Sequence, residues 1–198
     1  MSRQFTKFSL LLITLALSAC ASGPSEPTAT STAALPPVDI PSEAKNEYAK
    51  ALASLNSGDD EQAIIYLTGM TRKYPNLPGP FVNLGILYLK KGRYEDAKNA
   101  LLQATTVKPG DAVAQTHLGI AYRNLGEFKL AEQSYQEALK AQPNYAYAHL
   151  NAGILYDIYL QELPKALQHY EQYKALNSGS DELVEKWIID LKRRVGQN

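Results

Sequence analysis

Apolar residues downstream of position 42 recur at the spacing of amphipathic α-helices. Near the start of this region, an i, i+3, i+4, i+7 stripe on one predicted helix face comprises Tyr48, Ala51, Leu52 and Leu55. Near the C-terminus, a second stripe predicts a last helix and comprises Leu183, Val184, Trp187, Ile188, Leu191 and Val195. The pattern therefore predicts an all-α domain.

Between the two stripes, the chain repeats itself with a period of 34 residues. The repeated positions are Gly85, Gly119 and Gly153; Ala63, Ala97, Ala131 and, after 35 residues, Ala166; Pro75, Pro109 and Pro143; and Tyr88, Tyr122 and Tyr156. Several residue types that recur at one period indicate a repeat protein built from one supersecondary unit.

The recurring glycines and alanines predict tightly packed helix pairs. A glycine inside a helix costs about 1 kcal/mol relative to alanine, so it indicates a position where a neighbouring helix comes very close. A second set of glycines is expected to end the first helix of a pair by a left-handed C-cap, and comprises Gly58, Gly92 and Gly126. The prolines cannot continue the second helix and mark the exit to the next unit.

This pattern resembles the tetratricopeptide repeat, in which aromatic-x-x-Leu-Gly-x-x-Tyr is followed by Ala, a large apolar residue, Ala and Pro. Unit 78–111 matches well through Phe81, Leu84, Gly85, Tyr88, Ala97, Leu101, Ala104 and Pro109. The resemblance implies a right-handed superhelix of about four helix pairs, with repeats at 44–77, 78–111, 112–145 and 146–179.

The C-terminal end departs from the motif. Unit 146–179 lacks the turn glycine and inserts one residue between positions 160 and 164, where Pro164 suits the first turn of the second helix. Residues 180–198 are predicted to form a capping helix, with Ser180 as its N-cap and Trp187 against the end of the stack. The alternative is a helix that detaches to bind a partner.

The N-terminus has the layout of a secretory signal peptide over residues 1–19. Arg3 and Lys7 precede an apolar run at 10–17, which is too short for a spanning helix. The sequence Leu-Ser-Ala-Cys that ends at Cys20 resembles the bacterial lipoprotein signal. That resemblance implies cleavage before Cys20, a lipid anchor on it and, with Ala21 next, a periplasm-facing position on the outer membrane. The alternative is an ordinary signal peptide with a buried cysteine.

Residues 20–42 are rich in Pro, Ser, Thr and Ala and show no apolar periodicity. Such a segment cannot bury enough apolar surface to offset its ordering entropy, so we expect a disordered tether between the anchor and the repeats. An unstructured remnant without a role is the alternative.

Charge and residue chemistry exclude several classes of function. Lysine and arginine balance aspartate and glutamate at 20 each, so nucleic acid is not an expected partner. No motif for catalysis, a cofactor or a small-molecule substrate is present, and we expect neither an enzyme nor a metal site. The three histidines, which lack metal-ligand spacing and are expected to be structural, are His117, His149 and His169.

The resemblance further implies a concave groove lined by the first helix of each repeat. The ninth place of the repeats forms an aliphatic ladder, defined as Leu52, Ile86, Ile120 and Ile154. The other predicted groove residues are Tyr48, Val82, Leu89, Thr116, Arg123, Asn124, Leu150 and Asp157. Such a groove suits an amphipathic helix or an extended peptide of a protein partner. Alternatively, the ladder is buried between adjacent first helices and only stabilises the fold.

We therefore expect a non-enzymatic, membrane-anchored scaffold that binds protein partners in the bacterial cell envelope. Related designs suggest three more specific roles. One is a pilotin-like factor for type IV pilus secretins, one is an adaptor of cell-wall enzymes on peptidoglycan, and one is outer-membrane protein assembly. Of these roles, the pilotin-like factor is the first alternative, because an apolar groove would suit a hydrophobic secretin segment.

Overall fold

A computed structural model describes residues 40–196. The predicted signal peptide, the lipidation site Cys20 and the predicted tether up to position 39 lie outside the described residues. Within them, nine α-helices and one π-helical segment follow one another along the chain. They are α1 (Ser42–Ser57), α2 (Asp60–Lys73), α3 (Pro78–Lys90), α4 (Tyr94–Val107), α5 (Ala112–Asn124), α6 (Phe128–Ala141), α7 (Ala146–Ile154), the π-helix (Leu155–Tyr159), α8 (Leu163–Leu176) and α9 (Glu182–Val195).

The helices pack as consecutive pairs that stack into one array. Helix α1 pairs with α2, α3 with α4, α5 with α6, and α7 with α8, while α9 packs against α8. Each second helix also contacts the first helix of the next pair, and α5 contacts both α3 and α7. This arrangement confirms the predicted all-α repeat superhelix and places the first helices α3, α5 and α7 side by side.

The repeated glycines lie where two helices of a pair approach most closely, as expected. A Cβ atom added to Gly153 would lie 2.6 Å from Cδ1 and Cε1 of Tyr170, which is fully buried. Gly119 faces the ring of Tyr135, and Gly85 faces Leu101, in the same way. The four recurring alanines lie on the second helices and are equally enclosed, because none of them has exposed surface.

The turns inside the first three pairs use left-handed glycines. Gly58, Gly92 and Gly126 have φ values of 77°, 70° and 78°, which confirms their predicted role. In the fourth pair Gln161 occupies this position at φ 56°. A residue with a Cβ atom is strained in this region, by about 1–2 kcal/mol.

The extra residue of the fourth repeat is absorbed upstream of the predicted insertion. In the third repeat, the backbone N–H of Glu127 donates to the carbonyl of Tyr122, five residues earlier. In the fourth repeat, the N–H of Glu162 donates to Tyr156, six residues earlier. The π-helix at the end of α7 supplies the wider turn that this longer spacing needs. Pro164 lies in the first turn of α8, as predicted.

Helix α9 covers the end of the stack in the position predicted for a capping helix. Val184, Ile188 and Leu191 are buried, and the rings of Trp187 and Tyr170 lie 5.3 Å apart between centroids. The prediction of Ser180 as N-cap is wrong. The helix begins at Glu182, so its N-cap is Asp181 and not Ser180. Oδ1 of Asp181 accepts a hydrogen bond from the backbone N–H of Val184 at 3.1 Å.

Candidate binding groove

The aliphatic ladder lies on the adjacent first helices α1, α3, α5 and α7 and is partly open to solvent. Leu52 is 38% exposed, and the three isoleucines are half-buried. Ile86 packs beside Val82, whereas Ile120 and Ile154 pack against the main core. The aliphatic ladder is therefore partly buried and partly exposed. It stabilises the fold, as one interpretation of the sequence expected, and it also forms part of the groove surface, as the other expected.

Two predicted groove residues at the fifth place of the repeat are buried. Thr116 has no exposed surface, and its hydroxyl donates to the carbonyl of Ala112 at 2.7 Å. Val82 is 9% exposed because Ala104 and Ala114 are small enough for their helices to close over it. The expectation that Val82 and Thr116 offer surface to a partner is wrong.

The other fifth-place residues and Leu89 are half-buried. Tyr48 lies across Gly79, and its hydroxyl accepts a hydrogen bond from Nδ2 of Asn83 at 2.7 Å. Leu89 and Leu150 pack against the main core cluster with part of their side chains exposed. These residues form apolar walls beside the ladder.

The polar residues of the groove are held by neighbouring side chains. Nη1 of Arg123 donates to Oδ1 of Asn151 at 3.2 Å, and Nδ2 of Asn124 donates to the carbonyl of Ile120 at 2.8 Å. No carboxylate within residues 40–196 lies at ion-pair distance from Arg123. Asp157 lies 3.6 Å from the guanidinium of Arg194 on α9. Burial raises the pKa of Asp157, while the charge of Arg194 opposes that shift.

Two exposed apolar residues at the second place of the repeat enlarge the candidate surface. Val113 and Tyr147 are 36% and 41% exposed on α5 and α7, and the ring of His117 lies 5.7 Å from that of Tyr147. Sequence reasoning missed both, although following the second place of the repeat along the chain would have found them. The apolar surface therefore extends toward the N-terminal ends of α5 and α7.

The structure also brings together two histidines that the sequence separates by 20 residues. Nε2 of His149 donates to the carbonyl of Pro143 at 3.0 Å. Nδ1 of His149 lies 3.0 Å from Nδ1 of His169, so one of these two nitrogens donates a hydrogen bond to the other. Burial, with the adjacent His149 and Lys165, lowers the pKa of His169 to about 4. The ring of His169 is thus neutral at pH 7, and the histidine pair serves the packing of α7 on α8.

A separate apolar cavity lies at the N-terminal end of the stack. It has a volume of about 250 Å³ and lies between α1, the end of α2 and the start of α3. Its lining is almost wholly apolar and includes Ile40, Tyr48, Met70, Leu77 and Pro80. Tyr48 is the residue that this cavity shares with the predicted groove.

The described part of the chain contains no helix with the length and apolarity to cross a bilayer. It also contains no group of three or more His, Cys, Asp or Glu side chains placed to hold a metal ion. The groove offers an aliphatic floor beside the guanidinium of Arg123, which suits binding of a polypeptide.

Comparison with known families and structures agrees with this fold. The family model described as tetratricopeptide repeat matches residues 82–146 and 116–181, which together span half of the chain. The chain therefore belongs to the tetratricopeptide repeat family. No curated protein sequence matches it.

Solved structures with the same fold share little sequence with this chain. MamA 41-end from Desulfovibrio magneticus RS-1 is 22% identical, with a TM-score of 0.68 over 79% of this chain and 88% of that one. A crystal structure of MamA protein is 25% identical, with a TM-score of 0.61 over 67% and 72%. The first TPR of Spaghetti (RPAP3), bound to the HSP90 peptide SRMEEVD, is 23% identical, with a TM-score of 0.56 over 60% and 93%. Proteins of this fold generally act as protein-interaction scaffolds.

Proposed function

We propose that this protein is a non-enzymatic, membrane-anchored scaffold that binds protein partners in the bacterial cell envelope through the groove of its first helices. The observation that carries the proposal is the partly exposed aliphatic ladder on α1, α3, α5 and α7. Apolar surface that continues across neighbouring helices marks an interaction site on a folded domain. The RPAP3 domain, which has the same fold, has been solved with a bound peptide.

The proposed anchor is the lipidated thiol and amino group of Cys20, the only cysteine of the chain. Acyl chains hold a protein at a bilayer through about 0.8 kcal/mol per buried methylene. Anchoring confines the groove to the membrane surface and raises its effective concentration toward partners there. An outer-membrane, periplasm-facing position follows from Ala21 after the lipidated residue, as the lipoprotein resemblance implies.

The anchor is tested by radiolabelled palmitate in growing cells. We expect label on the wild-type chain and none on Cys20→Ser, with the wild type in the outer-membrane fraction. Unlabelled wild type would remove the anchor from the proposal and leave the groove unaffected.

The groove is tested by crosslinking and capture from native envelopes with Leu52→Glu. Leu52 is exposed enough to change without a packing defect, and a carboxylate there opposes apolar contact. Ile65→Glu is the matched control, since Ile65 is 64% exposed on the second helix α2. We expect partners to be lost with Leu52→Glu and retained with Ile65→Glu, while the circular dichroism spectrum of both variants stays unchanged.

A peptidoglycan-binding adaptor is the second candidate, favoured by the exposed Tyr147 beside His117. Exposed aromatic rings bring a large amphipathic surface to a ligand. Tyr147→Ala would then abolish binding to isolated sacculi, and Leu52→Glu would leave it intact. Sacculus binding that survives Tyr147→Ala would reject this candidate.

A further inference from the structure

The apolar cavity at the N-terminal end of the stack lies where the second repeat is filled by its own side chains. In the second repeat, Val82 packs against Ala104 and Ala114 in a small core cluster. Its counterpart one period earlier is Tyr48, which lies across Gly79, where a Cβ atom would be 2.9 Å from the tyrosine hydroxyl oxygen. The space that a valine closes in the second repeat therefore stays open in the first, as a cavity of about 250 Å³.

The charges of α1 are divided between two sides of the helix. Glu43 and Glu47 lie on one side, where each places a carboxylate oxygen 2.8 Å from Nζ of Lys73. Because an α-helix has 3.6 residues per turn, Lys45 projects from the other side, and it lines the cavity. No carboxylate of residues 40–196 lies at ion-pair distance from its ammonium group. Since Lys45 is exposed, the mouth of the cavity carries an uncompensated positive charge.

The hydroxyl group of Tyr48 adds a second hydrogen-bond donor on the same side of α1, because Tyr48 follows Lys45 by three residues. The hydroxyl oxygen accepts a hydrogen bond from Nδ2 of Asn83 at 2.7 Å, and no acceptor within the described residues takes its proton. Burial raises the pKa of Tyr48, which keeps the hydroxyl group protonated. An anionic group at the mouth of the cavity would therefore find an ammonium and a hydroxyl donor.

We infer that this cavity binds the apolar chain of a fatty acid, whose carboxylate is held by Lys45 and Tyr48. The rest of the lining is almost wholly apolar and includes Ala44, Met70 and Leu77. A methylene group fills about the volume of one water molecule in the liquid, roughly 30 Å³, so the cavity accommodates a chain of about eight to ten carbon atoms. The inference does not depend on partner binding in the groove, since no residue of the aliphatic ladder lines the cavity.

The test is binding of octanoate to the full-length chain, followed by NMR of its ¹³C-methyl-labelled methionines. Met70 lines the cavity and Met1 is the only other methionine, so Met70→Leu assigns the resonance. We expect octanoate to shift the Met70 resonance saturably, and octanol and octylamine to bind about tenfold more weakly because they lack the carboxylate. An unshifted Met70 resonance, or equally tight binding of octanol or octylamine, would overturn the inference.

Chain length tests the volume of the cavity. Each methylene that enters it should tighten binding about fourfold, so octanoate should bind about 15-fold more tightly than hexanoate. Once the cavity is full, further carbons add little, and dodecanoate should bind within about twofold of decanoate. An affinity that still rises about fourfold per methylene up to dodecanoate would indicate adsorption to open apolar surface and would reject a bounded site.

The variant Lys45→Gln tests the contact with the carboxylate. It should weaken octanoate binding about tenfold and leave octanol binding unchanged, because only the carboxylate requires the ammonium group. Lys50→Gln is the matched control, since Lys50 is an exposed lysine on the other side of α1 and does not line this cavity. The control should bind octanoate as the wild type does. Wild-type octanoate affinity in Lys45→Gln would reject the proposed carboxylate site.

An esterified acyl chain is the competing ligand, because it brings the same apolar chain without a free carboxylate. Vesicles of phosphatidylglycerol should therefore leave the Met70 resonance unshifted. A shift with these vesicles and none with octanoate would overturn the assignment of a free fatty acid.

Discussion

The close approach of paired helices predicts that replacing glycine by alanine has opposite effects on the free energy of unfolding at Gly119 and Gly69. Gly119→Ala adds a Cβ atom 2.7 Å from Cδ1 and 2.9 Å from Cζ of Tyr135, a ring that is almost fully buried. Gly69→Ala, inside α2, adds a Cβ atom that meets nothing within 4 Å. Both variants gain the same helix propensity, so the difference between their free energies of unfolding measures the steric contact with Tyr135.

The magnitudes follow from these two contributions. Alanine in place of glycine stabilises a helix interior by about 1 kcal/mol, which Gly69→Ala should realise almost fully. Overpacking a rigid core costs about 1–3 kcal/mol, and the enclosed ring of Tyr135 favours the upper part of that range. Gly119→Ala should therefore lower the free energy of unfolding by about 1–2 kcal/mol, and the two variants should differ by about 2–3 kcal/mol.

Urea unfolding followed by circular dichroism at 222 nm measures both free energies. Equal stability of Gly119→Ala and Gly69→Ala would contradict this prediction. That result would mean that the glycine is not required by the approach of α6 to α5.

Three further predictions concern the C-terminal end of the stack. Gln161→Gly should raise the free energy of unfolding by about 1 kcal/mol because it removes a Cβ atom from a left-handed backbone position, and a thermal midpoint no higher than wild type would contradict this. His169 has a pKa of about 4 in the folded chain against an ordinary value of 6.5, so the unfolded chain binds more protons between these values. Stability should be fully present above about pH 6.5 and fall as the pH drops toward 4, whereas His169→Gln should show a flatter profile in urea unfolding at a series of pH values. Trp187 is the only tryptophan, so its fluorescence reports the docking of α9. Trp187→Phe should lower stability, and a wild-type fluorescence transition well ahead of the circular dichroism transition would indicate that α9 detaches before the stack unfolds.

The repeat architecture could be predicted because its determinants are local and recur. A glycine in the middle of the first helix and an alanine on the second helix indicate the same close approach in the second, third and fourth repeats, so Gly119 and Ala131 predict a tightly packed pair from local sequence alone. The left-handed turns at Gly92 and Gly126 follow from the same kind of local argument. These features depend on backbone sterics rather than on the size of distant neighbours.

The candidate site was predicted less completely because burial depends on residues in other repeats. Val82 and Thr116 occupy a place that lines the groove in this family, yet they are buried because small alanines let neighbouring helices close over Val82 and because Thr116 bonds its own helix. The His149–His169 pair depends on how α7 packs on α8, which residue spacing does not specify. The π-helix, likewise, takes up the extra residue upstream of the position where the sequence inserts it.

The proposed function requires that another polypeptide binds in the groove of the first helices. Site-specific photo-crosslinking in living cells tests it most directly, with the photoreactive residue at Leu52 or Asn124 in the groove and at Ile65 on α2 as the control position. We expect a discrete crosslinked protein of higher mass at both groove positions and none at Ile65. Equal crosslinking at all three positions, or none in the groove, would contradict it.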